Sequence, residues 1–67
     1  MMERKEIALN QIWKRKNGNT VFISASRESR GLIEFELTPI GSSGRKSWKW
    51  DGGIINELKF TGKYYGR

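Results

Sequence analysis

The sequence predicts an all-β domain: a small barrel of four or five antiparallel strands with a short N-terminal arm or helix. Three observations predict it. Asn17-Gly18 lies between two β-rich runs, Gln11 to Arg15 and Asn19 to Ser26, and Asn-Gly in that setting is a strong hairpin signal. Ile33, Phe35 and Leu37 alternate with Glu34, Glu36 and Thr38, the period of a strand with one dry face. The chain has 67 residues, with three Trp, three Phe and no Cys. That is one domain, 1–67, with a core over about 10–61, an arm over 1–9 and a tail over 62–67.

A chain of this length buries only about 60% of its unfolded surface. With no disulfide available, the aromatic and branched aliphatic residues must supply the core. With neither Cys nor His, a conventional zinc site is not expected, and no cofactor is implied.

Residues 2–9 offer a turn or two of helix, or an extended arm. In either form Ile7 and Leu9 are the anchors. The first strand is expected over Gln11 to Arg15. Loop length then sets the register. A two-residue Asn17-Gly18 loop would put Lys14 opposite Val21. A three-residue Lys16-Asn17-Gly18 loop, with Gly18 left-handed, puts Trp13 opposite Val21. The second is chemically better, because it lines Trp13, Val21 and Ile23 along one face. Ile12, Lys14, Thr20, Phe22 and Ser24 then share the other, since a slip of one residue flips every side chain.

Arg27 to Gly31 reads as a polar turn. Leu32 to Thr38 is the third strand, and Pro39 ends it because it cannot donate to a ladder. Ile33, Phe35 and Leu37 are expected inside. Gly41 to Gly44 is a loop. Arg45 to Trp50 is the fourth strand, with Trp48 and Trp50 on one face and Ser47, Lys49 and Asp51 on the other. Ile54 to Leu58 suggests a short helical turn, and Leu58 to Thr61 a final strand. Gly62 to Arg67 reads as a mobile tail.

At this length, closure into a five-stranded SH3-like barrel is the economical way to avoid exposed sheet edges. An open sheet with an N-terminal helix is the alternative. The run Asn10 to Ile23, with Ile33-Glu34-Phe35 and Ile54 to Phe60, resembles small phage and prophage proteins with SH3-like barrels. That resemblance implies a fold, with no catalytic residues to carry over. Asn10 departs from it by standing where those proteins usually have Gly. Trp48-Lys49-Trp50 has no counterpart in the pattern. The opening also looks like that of KOW-type nucleic-acid modules, without their glycine pattern.

Thirteen Lys and Arg against seven Asp and Glu give a net charge of +6. Such an excess favours polyanionic partners. The candidate nucleic-acid-binding residues are Lys14, Arg15, Lys16, Arg27, Arg30, Arg45, Lys46 and Lys49, as phosphate contacts, with Phe22 as a stacking platform. Phe22 otherwise packs with Ile12 beneath Ile7 and Leu9. Trp48 and Trp50 would stack on bases if exposed, but so small a barrel needs large core residues, and they are expected inside with Lys49 pointing out. Glu34 and Glu36 share an outer face and should pair with cross-strand cations. They form no acid/base pair, and no nucleophile has a base partner, so an enzyme is not expected.

The partner is therefore expected to be nucleic acid, DNA or RNA, through a positive surface on the hairpin and loops. The alternative is a protein-interaction module, such as a phage-encoded adaptor or inhibitor of a host protein. No apolar run reaches the roughly 20 residues that span a bilayer. The N-terminus lacks the apolar stretch of a signal peptide. A cytoplasmic location is expected, the host cytoplasm if the chain is phage-encoded. Nothing in the sequence sets an oligomeric state.

Overall fold

The computed structural model describes residues 7–41 and 44–66. Five antiparallel strands form one sheet: β1 (Gln11–Arg15), β2 (Thr20–Ser29), β3 (Leu32–Pro39), β4 (Ser47–Trp50) and β5 (Leu58–Tyr64), in the order β4-β3-β2-β1-β5. A seven-residue helix, α1 (Asp51–Glu57), joins the two edge strands and packs against the inner face. The result is the small, barrel-like all-β fold that the sequence predicts.

The first hairpin has the register set by the three-residue loop. Trp13 faces Val21, Ile12 faces Phe22 and Lys14 faces Thr20. Gly18 takes φ 93°, and its N–H donates to the Arg15 carbonyl at 2.9 Å. The Asn17 side chain accepts from the Asn19 N–H at 2.9 Å, the local bond that suits Asn to turns. Asn10 has φ 71°. A left-handed position is one that Gly fills most easily and Asn next, which suits Asn to this place.

Trp13, Val21, Ile23, Phe35, Leu37, Ile54 and Leu58 form the core, with Ile7 and Phe60 packed against it. Each fully buried aliphatic contributes roughly 1.5–3 kcal/mol. The one buried polar side chain among the described residues is Gln11. Its Oε1 accepts from the Trp13 Nε1–H at 3.1 Å and from the Ala8 N–H at 3.0 Å. Burial without such partners would be costly.

Several expectations need correction. Ile33 is 49% exposed rather than core. It lies on the same face as Phe35, but β2 and β3 outrun β1 there, and none of the described elements covers it. Arg27 to Gly31 is not one turn. β2 continues to Ser29, and the loop is Arg30-Gly31 alone, with φ 53° and 79°, the two positive angles of a tight hairpin turn. Residues 62–67 are not a loose tail as far as they are described. β5 runs on to Tyr64, which pairs with Gln11 across a bulge that takes in Gly62. The Tyr65 N–H donates to the Asn10 carbonyl at 2.7 Å. Leu9 is 52% exposed and anchors nothing. Residues 2–6 of the expected N-terminal helix over 2–9 lie outside the described residues; 7–9 are not helical.

Trp48 and Trp50 are also corrected. They are 37% and 48% exposed. The register explains it: Lys49 faces the buried Phe35, so Trp48 and Trp50 fall on the outer side, opposite Glu36 and Glu34. A Cβ at Gly53 would sit 3.0 Å from Lys49 Cγ and 3.1 Å from Trp50 Nε1, and one at Gly52 2.4 Å from the Trp50 ring, so the two glycines let the Lys49 stem and the Trp50 indole lie against α1. Lys49 therefore points inward, contrary to expectation, and its Nζ reaches Glu57 at 3.0 Å.

Candidate functional site

Directly opposed residues in an antiparallel pair share a face, so the registers assign the outer surface. Over β2, β1 and β5 it carries Thr20, Phe22, Ile12, Lys14 and Lys59. Lys14 faces Lys59 directly. An open groove lined by Ile12, Lys14, Thr20, Lys59, Phe60, Thr61 and Lys63 runs along it. Two like charges at opposed positions destabilise a sheet. Among the described residues the ion pairs are Arg27–Glu34 and Lys49–Glu57. Neither supplies a carboxylate to Lys14, Lys59 or Lys63.

The bulge in β5 helps to place Lys63 here. Between the Trp13–Phe60 and Gln11–Tyr64 pairs, β5 has three residues against one on β1. Thr61 Oγ1 donates to the Ile12 carbonyl at 2.8 Å and accepts from the Lys63 N–H at 3.2 Å. Thr61 thus holds the strand closed where it would otherwise part, with Lys63 beside Lys59.

Phe22 lies on this face, but Ile7 and Leu9 do not cover it. Tyr65 stacks on it, with centroids 3.9 Å apart and planes 4° from parallel. Tyr65 is itself 46% exposed. A polar network continues across β2 and β3. Ser24 Oγ donates to Glu36 Oε1 at 2.9 Å and lies 2.6 Å from Thr38 Oγ1. Ser24 reaches both because β2 bulges between Ile23 and Ala25.

The remaining predicted residues divide. Arg15 faces Leu58 at the end of β1, and Arg15 and Lys16 line a recess together with Lys14, Lys59 and Glu57. Arg27 lies over the Trp48 ring, 4.0 Å from its centroid, and its Nε donates to Glu34 at 2.8 Å. This is the cross-strand pairing expected of Glu34. Arg30 caps the far end of the β2–β3 hairpin. Arg45 and Lys46 precede β4, at the end of the sheet that also holds the β1–β2 turn. So Lys14 and Phe22 share a surface, while Arg27 and Arg30 stand at the opposite end from Lys16, Arg45 and Lys46.

Sequence reasoning misses Lys59 and Lys63. The signal that finds them is pairing between the first and last strands, which sets Lys59 against Lys14. Among the described residues no helix is long and apolar enough to cross a membrane. Comparison with protein-family models, with curated proteins and with solved structures finds no match. What this surface does is therefore read from its own chemistry.

Proposed function

We propose that the protein binds nucleic acid on the outer face of β2, β1 and β5. The observation that carries this reading is Lys14 directly opposite Lys59, with Lys63 in the same groove and no carboxylate paired to any of them among the described residues. A sheet gains nothing from such an arrangement by itself. A chain of phosphates neutralises all three ammonium groups at once and releases counterions as it does so. The net charge of +6 adds long-range attraction to the local fit.

Titration of a labelled oligonucleotide at several salt concentrations tests it. Affinity should fall steeply as salt rises. Replacing Lys14, Lys59 or Lys63 singly by Gln should reduce the log–log slope by about 0.7–0.9 for each phosphate that the variant no longer neutralises. Binding that ignores salt, or a triple variant that binds as wild type, would remove the proposal.

A second reading is a protein partner. The exposed aliphatics Leu32, Ile33 and Ile55, at 51%, 49% and 45%, favour it. They lie away from the lysine groove. A protein docked there would bind with little salt dependence and would be released by Leu32→Ser and Ile33→Ser, leaving the lysine variants unaffected.

A further inference from the structure

The same outer face carries two layered stacks of flat groups. In one, Tyr65 lies on Phe22 at 3.9 Å and within 4° of parallel. In the other, the Arg27 guanidinium lies on the Trp48 ring at 4.0 Å. Tyr65 and Trp48 remain 46% and 37% exposed, and the Arg27 side chain 52%. Each stack is held in place. The Tyr65 backbone bonds to Asn10, and Arg27 is fixed by Glu34.

Both stacks include a residue of β2 on the same face of the sheet: Phe22 faces Thr38 and Arg27 faces Glu34. Trp48 faces Glu36, which faces Ala25. The Asn10 N–H donates to Ile23 while the Asn10 carbonyl accepts from Tyr65, which ties Tyr65 to the end of β1 beside β2. Phe22 and Arg27 are five residues apart on β2, which separates the stacks by about 15 Å at the ordinary rise of a strand. The acids of β3 on this face are already engaged, Glu34 by Arg27 and Glu36 by Ser24.

We propose that the bound nucleic acid is single-stranded, with bases stacking on the Phe22–Tyr65 and Trp48–Arg27 layers while its phosphates run to Lys14, Lys59 and Lys63. This rests on the nucleic-acid reading above and narrows it. A duplex keeps its base faces stacked internally and offers none to an exposed ring. An extended single strand offers them freely, and aromatic rings and Arg planes are the groups that receive them. Preformed stacks leave little side-chain motion to freeze on binding.

The test is fluorescence anisotropy with a mixed-sequence 12-nucleotide strand, as DNA and as RNA, and with the matching duplexes. Wild type should prefer the single strands. Tyr65→Ala and Trp48→Ala should each weaken single-strand binding about fivefold or more, with duplex binding and the salt slope little changed. Tyr65→Phe, which keeps the ring, should bind as wild type. Both substituted side chains are exposed, and circular dichroism checks the fold. Equal affinity for duplex and single strand, or unchanged binding by both alanine variants, would overturn the single-strand inference while leaving a salt-dependent phosphate interface standing. No binding to any of these nucleic acids would overturn both. The DNA and RNA arms identify the sugar.

Discussion

Arg30 occupies a backbone position that most side chains avoid. Its φ is 53°, followed by Gly31 at 79°. A non-glycine residue there costs roughly 1–2 kcal/mol, less for Asn, and Asn-Gly is the preferred pair for this turn. Arg30→Asn should therefore stabilise the fold by about 0.5–1 kcal/mol. Gly18 at φ 93° is the converse case. Space is open around it, so Gly18→Ala isolates backbone strain and should destabilise by about 1 kcal/mol. Denaturant unfolding with an unchanged slope measures both shifts. Opposite signs are expected; the same sign for the two would contradict the assigned angles. At this scale the first hairpin is legible in the sequence, because Asn17-Gly18 declares its turn and Trp13, Val21 and Ile23 fix its register. Arg30-Gly31 is not, because Arg carries no turn signal and the polar residues around it read as loop.

Among the elements, the β1–β5 pair is where binding and stability oppose each other. Lys14 and Lys59 stand face to face. Lys14→Glu would convert that repulsion into an ordinary cross-strand attraction, stabilising the fold by about 0.2–1 kcal/mol. The same change should weaken oligonucleotide binding severalfold. Thermal unfolding and anisotropy on one variant check both, and a fall in both stability and affinity would count against the arrangement described. This pair is hidden in the sequence, since Lys14 and Lys59 meet only after β5 has returned to β1. The third strand shows the complementary limit. Alternation correctly groups Ile33 with Phe35 and Leu37, but alternation assigns a face and says nothing of whether another element lies opposite. Trp48 and Trp50 are likewise grouped correctly, and their side is set by the β3–β4 register, which puts Lys49 opposite the buried Phe35.

On the scale of the whole molecule, the cations of the described residues do not all merge into one patch. Arg27 and Arg30 stand at one end of the sheet and Arg45 and Lys46 at the other, while Arg15 and Lys16 share a recess with Lys14 and Lys59. Among the described residues a small core of seven buried apolar side chains supports this surface, so the margin of stability is narrow.

The face-to-face ammonium groups have a practical corollary. A molecule that holds like charges together at rest is partly unrelieved until something negative arrives, and whatever relieves it also tightens the fold by mass action. Saturation at one hundred times the dissociation constant is worth about 2.7 kcal/mol, or a rise in melting temperature on the order of 10 °C for a domain this size. Inorganic polyphosphate should therefore raise the melting temperature well beyond what sodium chloride of equal ionic strength achieves, and the Lys14→Glu protein should respond less. Heat resistance thus becomes a gauge of occupancy, usable before any natural ligand is in hand.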